Sequence, residues 1–363
     1  MRRLWRTALD SVAPYDAGKP LELLQAELGL PEITRLSANE NPLGPSPRAI
    51  EAVIREAARA HLYPDGSGLA LRRALADRLD VEPERILLGN GADELLALIA
   101  WAAFEPEDEV VIPRPAFETY GTVAALAGAV QVWSPLVDYQ ADLADAAAKV
   151  TSRTKAIVVC TPHNPTGTIV RARALAEFLE CLGEDPPLVI LDEAYRDFVD
   201  DPEAADGVAL LARHPTLISL RTFSKVAGLA GLRIGYAVAR QEVVERLNRV
   251  RAPYNVNRLA QAAALAALQD AEHWARSVQL VREERRFLAA ELMKRGLSVV
   301  PSQANFLLVS GGDAAEALRE HLLRSGILVR AGRAVGFPGH LRISIGTRLQ
   351  NERLLAALDR VRA

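Results

Sequence analysis

Short runs of apolar residues alternate with helix-like segments along the first two thirds of the chain. Apolar residues that recur every three to four positions predict helices over residues 48–62, 69–79, 92–104 and 119–127. Continuous apolar runs predict strands over residues 86–88, 110–112, 156–160, 188–191, 217–220 and 234–239. Because helices separate strands that are apolar throughout, the pattern predicts an α/β fold with a mostly parallel sheet flanked by helices.

The last third of the chain has a different pattern. A long helical stretch over residues 257–294 comes first. Shorter strand-like and helix-like segments follow at residues 305–309, 314–325, 327–330 and 341–345, before a final helix. This pattern predicts a second, smaller α+β domain. We therefore divide the chain into an N-terminal arm (1–36), a large domain (37–255) and a small domain (256–363) to which the arm contributes.

Composition and charge indicate which kinds of binding partner and which cellular compartment to expect. The chain has 363 residues and a formal net charge of −3, which does not favour nucleic acid or an anionic membrane as a partner. Its longest apolar run, residues 95–104, is too short to span a bilayer. Two cysteines cannot form a disulfide framework, so we expect a protein of the reducing cytoplasm. Only five of the 43 basic residues are lysines, which makes a lysine in an apolar setting notable.

One of these lysines, Lys225, comes just after a predicted strand. Thr222 and Ser224 precede it and Arg233 follows, and hydroxyl and guanidinium groups are the donors that a phosphate monoester needs. Burial and cationic neighbours help a lysine to lose its proton and become a Schiff-base nucleophile. The alternative is a loop lysine whose stem lies on apolar surface while its ammonium reaches water. This segment alone leaves both interpretations equally open.

Asp192 and Tyr195 follow another predicted strand in the same way. A carboxylate at this point can pair with a pyridinium nitrogen and keep it protonated, which makes pyridoxal phosphate an electron sink. Tyr195 could then contact the phenolic oxygen of the same cofactor. The alternative is that Asp192 caps the following helix, and this segment alone slightly favours the cap.

Two weaker motifs also follow strands. Asn164 lies in an Asn-Pro-Thr-Gly turn, and most such turns are only turns. Its neighbour His163 has no second histidine at metal-ligand spacing, so we interpret it as structural. Gly91 precedes Ala92 and Asp93 at the start of a helix, where free N–H groups can bind phosphate. Together, a phosphate-binding turn, an amide, an aspartate and a lysine at successive strand ends predict a site for pyridoxal 5'-phosphate.

These motifs resemble those of the fold type I aminotransferases, which depend on pyridoxal 5'-phosphate, and most closely those of the histidinol-phosphate aminotransferases. The most specific motif is Leu-Ser-Ala-Asn-Glu-Asn-Pro-Leu-Gly-Pro-Ser-Pro at residues 36–47. Other matching segments extend over nearly the whole chain, at residues 15–20, 63–64, 304–306, 326–330 and 341–347. The resemblance implies the type I fold, with a large cofactor-binding domain and a smaller α+β domain.

The resemblance also implies a role for each matching residue. Lys225 would bind the cofactor covalently and move the substrate proton, with Asp192 at the ring nitrogen and Tyr195 at the ring oxygen. The other cofactor contacts would come from Ala92, Asp93, Phe117, Asn164, Thr222, Ser224 and Arg233. The substrate would be bound by Tyr15, Asn39, Arg330 and Arg342. Tyr63 would reach the cofactor phosphate of a neighbouring subunit, which implies a homodimer with shared active sites.

Phe117 departs from the family pattern, which usually has tyrosine at this ring-stacking position. The phenyl ring can still stack on a pyridine ring, so we expect cofactor binding to survive. The tyrosine hydroxyl is absent, however, and no role in proton transfer can be assigned to this position.

The reaction that the resemblance implies is transamination between L-histidinol phosphate and 2-oxoglutarate, a step of histidine biosynthesis that yields imidazole acetol phosphate and L-glutamate. An amino donor and a 2-oxo acid would use one site in turn, and Arg330 and Arg342 suit doubly anionic substrates. An aromatic amino-acid aminotransferase and a lyase similar to threonine-phosphate decarboxylase share the cofactor residues and remain alternatives. A transcription regulator with an aminotransferase-like domain is disfavoured, because we recognise no DNA-binding module before residue 36 and the charge is not basic.

Overall fold

The computed structural model describes residues 4–10 and 12–362. The strands in these residues are β1 (Thr34–Leu36), β2 (Ile86–Gly89), β3 (Glu109–Arg114), β4 (Val130–Val137), β5 (Gln140–Ala141), β6 (Thr154–Cys160), β7 (Leu188–Asp192), β8 (Leu217–Thr222), β9 (Gly235–Val238), β10 (Ser298–Val299), β11 (Phe306–Ser310), β12 (Ile327–Ala331) and β13 (His340–Ser344). The α-helices are α1 (Leu21–Leu28), α2 (Pro47–Ala57), α3 (Leu69–Leu79), α4 (Ala92–Ala103), α5 (Thr119–Ala127), α6 (Leu143–Ala148), α7 (Ala172–Cys181), α8 (Gly207–Leu210), α9 (Gln241–Val250), α10 (Arg258–Gln269), α11 (Ala271–Lys294), α12 (Ala315–Arg324) and α13 (Arg348–Arg362).

The larger sheet contains all six strands that the first two thirds of the sequence predict. Its order is β2-β9-β8-β7-β6-β3-β4-β5, and β8, β7, β6, β3 and β4 run parallel to their neighbours in this series. The interior strand β9 is antiparallel to both β2 and β8, and the edge strand β5 is antiparallel to β4. The predicted α/β class with a mostly parallel sheet is therefore confirmed.

Both faces of this sheet are buried, as its continuous apolar strands require. Along β7 the side chains of Val189 and Leu191 pack into one apolar cluster and that of Ile190 into the other. Helix α10 contributes to the first cluster and helix α4 to the second. Because successive side chains on a strand point to opposite faces, an apolar residue at every position fills both cores.

The smaller sheet has the order β1-β12-β13-β11-β10. Its apolar face packs with residues of α11, α12 and α13, among them Leu288, Leu322 and Leu354. Strand β1 pairs parallel with β12, Thr34 opposite Ile327, so the end of the predicted arm is a strand of this sheet. Residues 1–3 and 11 of the arm lie outside the described residues. The division at residues 36 and 255 stays a prediction.

Two predicted helices have different bounds in the structure. Helix α2 ends at Ala57 rather than at residue 62. The stretch predicted as one helix over 257–294 is divided into α10 and α11 at Asp270, whose carboxylate accepts the His273 N–H at 3.2 Å and caps α11. Among the described residues, every helix is too short or too polar to cross a membrane.

Candidate active site

Polar side chains converge where β3, β6, β7 and β8 end at one edge of the larger sheet. A cavity of about 390 Å³ opens there, between this edge and residues of the smaller sheet. Fourteen of the fifteen residues predicted for the site line it: Tyr15, Asn39, Ala92, Asp93, Phe117, Asn164, Asp192, Tyr195, Thr222, Ser224, Lys225, Arg233, Arg330 and Arg342. Crevices beyond the carboxyl ends of strands are the usual ligand sites of such sheets.

Lys225 lies three residues beyond the end of β8, with a half-buried side chain. Its amine is 3.5 Å from the carbonyl oxygen of Ala38 and 5.5 Å from the ring centre of Tyr195. Burial, with a further contribution from the Arg342 guanidinium, lowers the pKa of Lys225 from its ordinary value to about 8. About a tenth of the amine is therefore neutral at pH 7, far more than for an ordinary lysine, and this neutral form is the nucleophile.

Asp192 is the last residue of β7, and its carboxylate is buried. One oxygen, Oδ1, accepts the backbone N–H of Ala194 at 3.0 Å, and the other, Oδ2, accepts the hydroxyl of Tyr120 at 2.6 Å. Burial raises the pKa of Asp192 above its ordinary value, while both hydrogen bonds act in the opposite direction. The alternative interpretation of Asp192 as a helix cap is wrong, because the next helical turn begins at Arg196 and has Tyr195 as its N-cap. Asp192 is instead a buried carboxylate on the wall of a cavity.

Two amide side chains connect the larger sheet edge to the smaller sheet. Asn39 donates from Nδ2 to the Tyr195 hydroxyl at 3.1 Å, and Ser344 donates to Asn39 Oδ1 at 3.0 Å. Asn164 accepts at Oδ1 from Arg342 Nη1 at 2.7 Å, and Arg342 also donates from Nη2 to the Ser37 carbonyl at 2.9 Å. The Arg342 Nε has no hydrogen-bond partner among the described residues, although the guanidinium is buried. Arg342 therefore has an unused donor beside the cavity.

Hydrogen-bond donors surround a small hollow between the start of α4 and the end of β8. We call this set the donor cup; its members are Thr222, Ser224, Arg233 and the backbone amides of Ala92 and Asp93. Gly91 precedes α4 with a φ of +84°, and a Cβ built there would lie 2.5 Å from Arg233 Nη2, so a side chain would fill the cup. Arg233 Nη2 donates to Asp93 Oδ2 at 2.7 Å. Thr222 Oγ1 accepts the backbone N–H of Ser224 at 3.0 Å. Free N–H groups at a helix start, two hydroxyls and a guanidinium can together bind a phosphate group.

Arginines line the opposite side of the cavity. Arg330 and Arg342 are opposite each other on the paired strands β12 and β13. Arg330 donates to the Asp16 carbonyl at 3.2 Å, which places it against the segment that contains the exposed Tyr15. Arg35 lies on the same wall and forms an ion pair with Glu40 at 3.4 Å. This side of the cavity can bind anionic groups.

Tyr63 does not line the cavity of its own chain. Its side chain is 77% exposed, and its ring stacks on Tyr254 with ring centres 4.6 Å apart. This position is compatible with the predicted contact to a neighbouring subunit, which stays a prediction.

Among the cavity residues that sequence reasoning did not predict are Arg35, Glu40 and Tyr120, each of which has a polar side chain. Glu40 belongs to the motif at residues 36–47, which could have indicated it. Tyr120 lies only three residues after Phe117, and the two rings meet edge to face at 5.6 Å. Arg35 has no comparable signal, because it is one arginine in an arginine-rich chain.

The fold and this cavity are those of a pyridoxal-phosphate-type aminotransferase, and sequence comparison agrees. The chain belongs to the family described as aminotransferase class I and II, which it matches over residues 31–358. Within that family it is similar to histidinol-phosphate aminotransferases. That of Anaeromyxobacter sp. (strain Fw109-5) is 46% identical over 97% of both chains. That of Moorella thermoacetica is 44% identical over 99% of this chain and 93% of its own. The predicted resemblance is confirmed.

Solved structures give the same class. The histidinol-phosphate aminotransferase of Sinorhizobium meliloti, solved in complex with pyridoxal-5'-phosphate, has a TM-score of 0.90 at 29% identity and covers 99% of this chain and 98% of its own. The aspartate aminotransferase of Thermus thermophilus, solved with maleate, has a TM-score of 0.84 at 25% identity over 99% of both chains. Since enzymes named for different substrates share this fold, the fold alone does not determine the substrate.

Proposed function

We propose that this chain is a pyridoxal 5'-phosphate-dependent transaminase that transfers the amino group of L-histidinol phosphate to 2-oxoglutarate. One observation supports the proposal above others: Lys225, Asp192 and the donor cup share one cavity with the facing pair Arg330 and Arg342. The similar proteins that are named histidinol-phosphate aminotransferase support the choice of substrate.

The residues of the cavity fit the cofactor. The buried carboxylate of Asp192 suits a protonated ring nitrogen, and the Asn164 amide and Tyr195 hydroxyl suit the ring oxygen. The face of Phe117 is available for stacking. The phosphate would be held by the cup of Thr222, Ser224, Arg233 and the backbone amides of Ala92 and Asp93. When bound, pyridoxal phosphate supplies an electron sink for charge that develops at the substrate carbon.

Lys225 has two tasks in this proposal. Its amine binds the cofactor covalently, and after release it takes up and returns the substrate proton as a general base. Both tasks require the neutral amine, which its lowered pKa of about 8 favours. The Ala38 carbonyl at 3.5 Å is a weak acceptor and leaves the amine free to move.

The two arginines would recognise the anionic ends of the substrates. Arg330 would bind the substrate phosphate, and Arg342 would bind the carboxylate of 2-oxoglutarate or the corresponding polar end of the amino donor. Tyr15 and Asn39 lie beside them on the cavity wall. Both substrates must use one site in turn, so the guanidinium pair has to accept either a phosphate or a carboxylate. Arginine binds both the tetrahedral phosphate and the planar carboxylate well.

Two further observations support a quaternary structure and a cellular location for the protein. The exposed Tyr63 suits a homodimer in which each subunit completes the site of the other. Both cysteines, Cys160 and Cys181, are free, which suits the reducing cytoplasm.

A panel of amino donors tests the proposed substrate. The cofactor-loaded protein is incubated with 2-oxoglutarate and either histidinol phosphate, histidine, phenylalanine or threonine phosphate, and glutamate and carbon dioxide are measured. Histidinol phosphate should give glutamate with a kcat/KM at least about a hundredfold above those of histidine and phenylalanine, because these two donors lack a phosphate and would leave Arg330 unpaired. The matched control is Lys225→Ala, which should form no glutamate with any donor.

The other outcomes identify the alternatives. Glutamate formed only from histidine or phenylalanine would replace the proposal with an aromatic amino-acid aminotransferase. Carbon dioxide released from threonine phosphate would replace it with a lyase. Normal turnover by Lys225→Ala would overturn the assignment of the lysine itself.

A further inference from the structure

The hydrogen bond between Tyr120 and Asp192 joins two buried side chains from different parts of the fold. Tyr120 lies in the first turn of α5 and is 1% exposed, and Asp192 ends β7 and is 5% exposed. The distance from the tyrosine hydroxyl to Asp192 Oδ2 is 2.6 Å, in the range of hydrogen bonds to a charged acceptor. No other partner of Oδ2 is found among the described residues, whereas Oδ1 already accepts a backbone N–H.

The direction of this hydrogen bond is fixed. Burial raises the pKa of Tyr120 well above its ordinary value, so the hydroxyl keeps its proton and acts as a donor. The titratable groups that interact with Asp192 are Tyr120, Cys160 on β6, Tyr195, Asp93 on α4 and the adjacent Glu193. Burial keeps the Cys160 thiol and the Tyr195 hydroxyl protonated, and the two carboxylates disfavour a third negative charge. Of these groups, Tyr120 is the one that donates a hydrogen bond to Asp192 and so stabilises its ionised form.

Tyr120 has a second contact with a residue of the cavity, the ring of Phe117. The two rings meet edge to face, with centres 5.6 Å apart and planes at 86°. One turn of chain, residues 117–120, therefore provides both the aromatic face available to the cofactor ring and the donor to the aspartate below it.

We propose that Tyr120 is a positioning residue whose hydroxyl holds the Asp192 carboxylate in place and in its charged form. The hydroxyl thereby strengthens the interaction of Asp192 with the cofactor ring nitrogen. This inference rests on the proposed function, because it requires the cofactor to bind beside Asp192. Tyr120 itself need not touch the substrate.

The test is the affinity of the cofactor-free protein for pyridoxamine phosphate, which binds without a covalent bond to Lys225. Tyr120→Phe removes only the hydroxyl and should weaken this affinity about tenfold, the size expected for one hydrogen bond to a charged group. The matched control is Tyr139→Phe, which removes a hydroxyl bonded to His340 at 3.2 Å outside the cavity. That variant should bind pyridoxamine phosphate as the wild type does.

A double-mutant cycle separates positioning from general packing. In an Asp192→Ala background the hydroxyl has no carboxylate to hold, so adding Tyr120→Phe should weaken binding less than about twofold further.

Absorbance of the bound pyridoxal phosphate as a function of pH gives a second measurement. The pH at the midpoint of the absorbance change should move by about one pH unit in Tyr120→Phe, in the same direction as in Asp192→Ala. It should not move in Tyr139→Phe.

The outcomes distinguish the two proposals. If wild type binds pyridoxamine phosphate and Asp192→Ala weakens binding, while Tyr120→Phe changes neither affinity nor midpoint, the inference about Tyr120 is wrong and the proposed function stands. Equal losses from Tyr120→Phe in both backgrounds would also overturn it, because the effect would then not pass through Asp192. A wild-type protein that fails to bind pyridoxamine phosphate would overturn the proposed function first.

Discussion

The proton of Lys225 determines when this lysine can react. Its pKa is lowered to about 8 by burial and by the nearby guanidinium of Arg342, so the amine is mostly protonated below that pH and mostly neutral above it. We expect the rate at which cofactor-free protein captures pyridoxal phosphate covalently to rise with pH, with a midpoint near 8, and then to level off. Stopped-flow absorbance over a pH series measures this rate.

The same profile tests the contribution of Arg342. Arg342→Gln removes a neighbouring positive charge, so the pKa of Lys225 should rise toward its ordinary value and the midpoint should move to higher pH. Arg324→Gln is the matched control, since that arginine is 72% exposed and paired with Glu320 on α12. A profile for Arg342→Gln that coincides with the wild-type profile would contradict this account of the lysine.

At the scale of single residues, the sequence indicated those site residues that follow a strand directly. Lys225, Asp192 and Asn164 come from this rule, because parallel strands end at one edge and bring distant segments together. This rule did not predict Tyr120, because the residue lies inside an apolar helical pattern, where a tyrosine is interpreted as a core residue. Its role depends on which strand end lies within reach of its hydroxyl, and this is decided by packing rather than by sequence spacing.

At the scale of elements, an ion-pair network on the far side of the strands holds β7 and β8 together. Glu193, fully buried, follows Asp192 and accepts hydrogen bonds from Arg221 Nε and Nη2 at 3.1 and 3.0 Å and from Ser219 at 2.5 Å. Successive residues point to opposite faces, so Asp192 and Thr222 face the cavity while Glu193 and Arg221 face away. The network therefore fixes the relative position of two strands that contribute site residues.

We expect Arg221→Met to lower the free energy of unfolding by about 3 kcal/mol, because the buried Glu193 carboxylate then loses the cation bonded to its Oε2 and keeps only Arg196, 3.9 Å from Oε1. Arg213→Met removes an exposed pair with Glu180, whose side chains are 69% and 55% exposed, and should cost less than about 1 kcal/mol. Urea denaturation followed by circular dichroism compares the two. Similar losses in both variants would show that the Glu193 network is not a special constraint on these strands.

The apolar pattern predicted the interior strands that are buried on both faces and the edge strand β2, but it missed β4 and β1. Interior strands such as β6 are buried on both faces, so their residues are apolar at nearly every position. Strand β4 was missed because it lies near the edge and most of its residues are exposed or half-buried. Strand β1 was missed because it has only three residues and its partner, β12, lies almost 300 positions away, where no local signal can point to it.

At the scale of the whole molecule, one predicted site residue lies away from the cavity of its own chain. Fourteen predicted site residues surround the cavity, while Tyr63 lies outside it, exposed and stacked on Tyr254. A symmetric dimer would place the same surface of each subunit against the other, so each Tyr63 could complete the partner's cup. The whole-molecule proposal is thus that every active site is built from two chains.

Mixing two defective variants tests this arrangement. Tyr63→Ala and Lys225→Ala chains are unfolded together and refolded at equal amounts, and glutamate formation is measured. If Tyr63 serves the partner, half of the dimers are mixed and each has one intact site, so activity should recover to about a quarter of the wild-type value. If Tyr63 served its own chain, no mixed dimer would have an intact site. The control mixture is Asp192→Ala with Lys225→Ala, which should stay inactive because both residues line one cavity of a single chain, so that neither subunit can repair the other.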